Sequence, residues 1–445
     1  MMLGAWPMAG GGIAWSGGWA ALWRTPLWRA YGVGHYGKSL VWYSSELLFA
    51  YFLTEACGLP PRAMGVVLAL SLVINGATDM VMGHLLRRLA GTISAAARLH
   101  FAGSILAGAA LLLFLATGLV PEAWRLVYAL VTGLVFRLAY ALYDVPQNAV
   151  LGMIASDRLR TNVSALRFVG AGLATLSIAV TAPLLLAGSA TDKARAFTVF
   201  ALVLWSLGMV SAGWFWRAAR GGTAGAETPR SPEGTMRRPS LPVRLPMGLI
   251  SVLAAECGLA ACASVFTRLE PYFAATVLTS SLARGTVMAC VALGGLAGQP
   301  LWTTVVERTT PSSAFRASGA MAITGALTFL LFGAHSLVLT AAAALLLGAG
   351  LGGLSMLLWA AAGACAASPA LSGRHLAPTQ VFGLLTLCIK VGCAIAILVV
   401  SEILVWRAGD RQAVVSALAL IVPMAVMPSL GALLCLMLTP RLRLS

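Results

Sequence analysis

Charge is scarce in this sequence. Only 10% of its 445 residues are Asp, Glu, Lys or Arg, against about 25% in an average soluble domain. That shortage excludes a soluble globular fold. With 59% hydrophobic residues and a mean hydropathy of +0.89, the apolar surface needs lipid around it. Lysine is scarcer still: Lys38, Lys193 and Lys390 are the whole supply. None of the eight cysteines sits in a CxxC pair, so they read as small core residues rather than redox or zinc ligands. His35, His84, His100, His335 and His375 have no metal-ligand spacing. No P-loop, zinc motif or nucleophile–base pair is present, and the chain is not expected to be an enzyme.

The acids number 14 against 30 basic residues, for a net charge of +16. No basic run interleaves with aromatics, so nucleic acid is not an expected partner. Topology explains the charge instead. Apolar runs of at least ~18 residues, long enough to cross a ~30 Å core, fall near 31–53, 63–86, 97–118, 123–150, 163–187, 196–216, 247–270, 284–305, 315–334, 337–366, 378–404 and 413–438. The one long polar stretch is 217–246. It is rich in Gly, Pro, Ser and Arg, the composition of a flexible linker. If both termini and this linker share a side, that side holds eighteen of the Lys and Arg residues outside the membrane and the other holds seven. The positive-inside rule then makes the termini cytoplasmic. Residues 1–30 carry Trp6, Trp15, Trp19, Trp23 and Trp28 but no charge before Arg24. They lack a secretory n-region and suit an interfacial segment.

The expected fold is therefore an all-α membrane protein of 12 transmembrane helices in two six-helix bundles, 31–216 and 247–445. Asp79-Met80-Val81-Met82-Gly83 before Arg87-Arg88, and Gln299-Pro300-Leu301-Trp302 before Glu307-Arg308, are weakly alike and end the second helix of each half. Gly294, Gly298, Gly348 and Gly352 are spaced to let helices approach closely.

Several charges fall inside the spans. Arg137 and Asp144 are seven residues apart, close to two helical turns, so they leave one face. An ionised group at mid-bilayer costs roughly 2.5–3.5 kcal/mol on insertion scales and needs a partner or a task. Lys38, Asp79, Arg167 and Lys390 are expected to meet this pair in one polar cavity. Lys38 and Trp42 share a face, as do Thr386 and Lys390, and Asn75 and Asp79. Asp79, flanked by the neutral oxygens of Asn75 and Thr78, suits a proton or Na⁺, with Asp144 as a second carboxylate; bracing of the loop beyond it is the alternative. Arg167 is placed to reach back to Asp144. Glu256 and Arg268 have no evident place.

These residues also carry a resemblance. Tyr31-Gly32-x-Gly34-x-x-Gly37-Lys38, Tyr51-Phe52-x-Thr54-Glu55-x-x-Gly58-Leu59, Asn75-Gly76-Ala77-Thr78-Asp79, Tyr143-Asp144-Val145-Pro146 with Arg167-Phe168, and Thr386-x-x-x-Lys390 resemble, in order, motifs of the glycoside–pentoside–hexuronide:cation symporters of the major facilitator superfamily. The resemblance implies alternating access between two bundles. It implies cation coupling at Asn75, Thr78, Asp79 and Asp144. It implies substrate contacts at Lys38, Asp144, Arg167, Thr386 and Lys390, and Trp42 and Asn148 are expected to contact substrate as well. Asn75 stands where members carry a first aspartate, Ser39 where sugar transporters of the family carry an acid, and Asn148 where an aromatic is found. The loop at Ser368–Arg374 lacks the family's acids.

The function expected is H⁺- or Na⁺-coupled symport of a sugar, glycoside or organic anion. A lipid or lysolipid transporter and a non-transporting assembly factor or sensor on the same scaffold are the alternatives. No cofactor is expected beyond the coupling ion. The chain is expected as a monomer among membrane lipids, in a bacterial inner membrane.

Overall fold

The computed structural model describes residues 24–89, 92–154, 157–221, 245–278, 283–333, 335–367, 378–409 and 413–439. Residues 1–23, most of the stretch read as a linker and the loop at 368–374 lie outside them. Among the described residues there is no strand. Twelve long helices follow one another: α1 (Pro26–Tyr51), α2 (Pro61–Leu89), α3 (Ile93–Leu115), α4 (Glu122–Gly152), α5 (Asp157–Leu186), α6 (Ala190–Gly221), α7 (Met247–Thr276), α8 (Thr286–Arg308), α9 (Pro311–Phe332), α10 (Leu337–Ala367), α11 (Pro378–Gly409) and α12 (Ala413–Leu438).

In lipid every backbone polar group must be satisfied within the chain, and the helix does this segment by segment. The starts are written in the sequence. Proline is the first residue of α1, α2, α9 and α11, where its missing N–H costs nothing. Thr92 and Thr310 cap α3 and α9, accepting from the amides of Ala95 and Ser313 at 3.2 Å. Two boundaries differ from expectation. α1 begins at Pro26, so the end of the segment expected at the interface is its first turn. α6 runs through Arg217 to Gly221, because Arg217-Ala218-Ala219-Arg220 favours helix.

Eleven of the twelve are long and apolar enough to cross a membrane. The exception is α1, which holds Arg29, Lys38 and Glu46. It lies between α5, α6 and α7, so protein rather than lipid surrounds much of it.

Helices α1–α6 form one bundle and α7–α12 the other. Within the first, α3 packs on α4 and α6, α1 on α5 and α6, and α2 on α4. Within the second, α7 packs on α11 and α12, α8 on α10, and α9 on α10 and α12. Between bundles α2 meets α11, α5 meets α8 and α1 meets α7. The end away from the chain termini is drawn together. There the rings of Tyr51 and Tyr272 lie 5.2 Å apart, the hydroxyls of Thr54 and Tyr272 share a 2.7 Å hydrogen bond, and Arg62 donates twice to the Glu402 carboxylate at 3.0 Å. The backbone supports this closure: α1 ends in a π-helical turn, Phe52–Ala56, and Gly58 follows at φ +68°, a conformation that favours glycine.

The expected glycine contact is present. A Cβ on Gly294 would strike the Leu345 carbonyl, one on Gly348 the Val291 carbonyl, and Gly298 and Gly352 face Ala349 and Gly295 at 3.1 and 3.3 Å. α8 and α10 therefore touch backbone to backbone. Gly348→Leu is expected to cost about 1–3 kcal/mol, read as a lower melting temperature of the purified protein. An unchanged melting temperature would mean that the two helices part freely here.

Candidate functional site

The glycine stripe of α1 sets the site. Gly32 packs on Leu166 of α5, Gly34 faces Gln147 of α4 and Phe215 of α6, and a side chain at Gly37 would run into Ser211 of α6. The helix sinks between its neighbours and carries Lys38 inward until only 3% of it is exposed. Its Nζ lies 2.6 Å from Asp144 Oδ1 and donates to Asn148 Oδ1 at 3.1 Å. Asn148 Nδ2 donates to Asp144 Oδ2 at 2.9 Å. Arg167 Nη2 donates to Asn148 Oδ1 at 2.6 Å. Here the sequence expectation needs correcting: Arg167 does not take Asp144 directly. Lys38 holds that carboxylate, and the Asn148 amide, one turn further along α4, relays Arg167 to it. The position where an aromatic was expected by resemblance is thus the junction of three charges.

A second pair spans the bundles. Lys390 of α11 is ion-paired and hydrogen-bonded to Asp79 of α2. Gly76 permits it: a Cβ there would come within 2.8 Å of Leu387, so α2 and α11 cross closely one turn before Asp79. Asn75 is fully buried and turns to α4, where its amide donates to the Arg137 carbonyl at 3.1 Å. Thr78 donates to the Ile74 carbonyl of its own helix at 2.7 Å, and Thr386 to that of Gly383 at 3.0 Å. The Asn75 amide is therefore directed at α4, not at Asp79, and the partner of Asp79 is a lysine.

Trp42 lies beside both Lys390 and Arg137. Its indole stacks on Tyr140 with centroids 5.6 Å apart. Lys390 Nζ and the Arg137 guanidinium carbon each lie 5.4 Å from its ring centre, within cation–π range. Beyond it Arg137, expected near Asp144, joins Glu46 and Arg268 in a cluster that the sequence did not indicate. Glu46 of α1 accepts from Arg268 Nη2 of α7 at 2.6 Å, Arg268 Nη1 donates to the Glu46 backbone carbonyl at 3.1 Å, and Arg137 Nη2 stands 3.9 Å from Glu46 Oε1. Arg137 also donates to Ser45 at 3.2 Å. A buried charge signals that a partner exists; identifying Glu46 needed the rotation of three helices. Neutral supports were missed as well. His35 hydrogen-bonds the buried Gln147 at 3.2 Å, and His100 the Tyr143 carbonyl at 2.7 Å. Among the described residues no group of His, Cys, Asp and Glu could hold a metal ion.

A cavity of about 180 Å³ lies in the seam between bundles, lined by Tyr43, Phe168, Leu296 and Gln299 among others; none of the charged residues of the site lines it.

Two six-helix bundles meeting over buried charges define a membrane transporter of the major facilitator type. The family described as MFS/sugar transport protein matches residues 30–445, and the chain belongs to it. YagG of Escherichia coli (strain K12), which bears the name of a glycoside/cation symporter, is 30% identical over 149 residues, 33% of this chain and 32% of that protein. The aligned part thus spans about a third of the relative's length. Among solved structures, a mutant of the peptide transporter POT with alafosfalin superposes with a TM-score of 0.63 at 14% identity, over 93% of this chain and 94% of that one. A mutant of the nucleoside transporter NupG gives 0.61 at 12%, over 94% and 100%. A bacterial homologue of ferroportin gives 0.59 at 11%, over 92% and 98%. At these identities the likeness is one of fold.

Proposed function

We propose that the chain is a cation-coupled symporter of a small organic solute, a sugar, glycoside or organic anion, working by alternating access as a monomer in a bacterial inner membrane with its termini in the cytoplasm. The observation that carries this reading is the Asp79–Lys390 bridge. It joins α2 of one bundle to α11 of the other, next to the Trp42 indole and the Lys38–Asp144–Asn148–Arg167 network. A proton or Na⁺ arriving at Asp79 competes with Lys390 for one carboxylate. Binding therefore loosens a bridge between the bundles, and release restores it. A cation that differs in affinity for the bridged and unbridged states shifts their populations by that difference. A proton is favoured over Na⁺, because one lysine-bound carboxylate is a thin cage for a metal ion that takes several oxygens. Solute would meet Lys38, Trp42, Asp144, Asn148, Arg167 and Lys390. The glycoside/cation name of YagG and the sugar-transport description of the family support the same substrate range.

The test is uptake into proteoliposomes under an imposed proton or sodium gradient. Wild-type protein is expected to accumulate solute only with a gradient, and Asp79→Asn to lose that response while still exchanging solute. Unchanged gradient-driven accumulation by Asp79→Asn rejects Asp79 as the coupling site.

A further inference from the structure

The charges around Trp42 do not balance. Lys38, Arg137, Arg167, Arg268 and Lys390 are linked through hydrogen bonds, ion pairs or the shared indole to three carboxylates, Glu46, Asp79 and Asp144. Two positive charges are left over. The excess is unevenly spread. Asp79 and Asp144 each have a lysine, whereas Glu46 alone serves two arginines that are 2% and 1% exposed. That cluster is also under-bonded: Glu46 Oε1 and Arg268 Nε have no hydrogen-bond partner. The other buried acids of α7, Glu256 and Glu270, form no ion pair among the described residues, so neither offsets the excess at contact distance. Glu256 instead accepts from Ser355 of α10 at 3.2 Å.

Uncompensated arginine in a membrane interior is costly, and it is kept where something negative visits. Guanidinium suits this, because its planar fork matches a carboxylate or phosphate. A neutral solute would leave both charges as they are.

We propose that the solute is an organic anion and that Arg137 and Arg268, gathered around Glu46, receive its negative group while its body lies against Trp42. The proposal rests on the transporter reading and names its substrate class. The Arg137 guanidinium carbon and Lys390 Nζ each lie 5.4 Å from the centre of the indole, so both cations stand close to a solute whose body lies against the ring. In this arrangement Glu46 is a built-in competitor that occupies the guanidiniums while no solute is bound.

Purified full-length protein, at fixed ionic strength, is melted with glucuronate, a hexose phosphate or succinate, each compared with its neutral counterpart, glucose or succinamide. At least one anion is expected to raise the melting temperature where its neutral counterpart does not; the anion that succeeds tells carboxylate from phosphate. Arg137→Gln is expected to weaken that anion about tenfold or more, and Arg137→Lys to keep part of the affinity. Glu46→Gln, which frees both guanidiniums, is expected to tighten it several-fold, a change of sign that a merely structural role would not give. The proposal fails if the neutral counterpart stabilises equally, if no anion stabilises, or if Arg137→Gln binds the anion as wild type does. Uptake of a neutral sugar together with no anion binding would sink the anion alone. Anion binding with no uptake would sink the transport reading and leave the site.

Discussion

Lys38→Met is expected to abolish uptake and to destabilise the folded chain by about 3–5 kcal/mol, the usual cost of removing one partner of a buried ion pair. The variant leaves Asp144 with Asn148 as its hydrogen-bond donor, and Arg167 becomes the one cation in the network, held at one remove through that amide. Melting of the purified protein and uptake into proteoliposomes read the two effects separately. Adding Asp144→Asn to Lys38→Met removes the stranded charge, so the double variant is expected to recover most of the stability and none of the transport. If instead the double variant transports, the pair only holds α1 against α4 and takes no part in handling solute.

Glu46→Gln is expected to be the second severe change, again by about 3–5 kcal/mol. It leaves Arg137 and Arg268 facing each other across a neutral amide. Arg268→Gln is expected to cost less, because Glu46 keeps Arg137 at 3.9 Å. The ranking is checked by denaturation in one detergent. A larger loss for Arg268→Gln would show that the cross-bundle hydrogen bonds at 2.6 and 3.1 Å, not the charge excess, set the stability here. An organic anion received by Arg137 and Arg268 is expected to raise the melting temperature more in Glu46→Gln than in wild type.

The helices were readable because lipid imposes one solution on every span: an apolar run of fixed length. The presence of a charged site was readable for a related reason. Lys38, Asp79, Arg137, Asp144 and Lys390 stand out against residues chosen for lipid. Partner choice was not readable. Asp144 had Arg167 on the next helix as its nearest candidate in sequence, yet Lys38, over a hundred residues away, holds it. The reason is that Gly32 and Gly37 seat α1 against α5 and α6 while Gly34 faces Gln147 of α4, a packing that turns Lys38 toward Asp144 and that no charge pattern indicates. Glu46 and Arg268 are 222 residues apart and meet only because the bundles close on each other. Asn75 looked like a ligand beside Asp79. One helical turn is close in sequence but leaves the amide free to rotate toward the Arg137 carbonyl. Neutral polar residues such as Gln147 carry little signal at all, since an amide inside a span is common and its partner is set by packing.

The polarity of α1 has a consequence for biogenesis. It is made before any other described helix, and it is the one that composition alone would not commit to lipid. Lys38 and Glu46 are neutralised by groups of α4 and α7, and its glycine face is covered by α5 and α6, all synthesised later. The nascent chain must therefore keep its opening helix sheltered at the insertion machinery until the rest of the first bundle arrives. Truncations that end before α5 should leave that helix outside the bilayer.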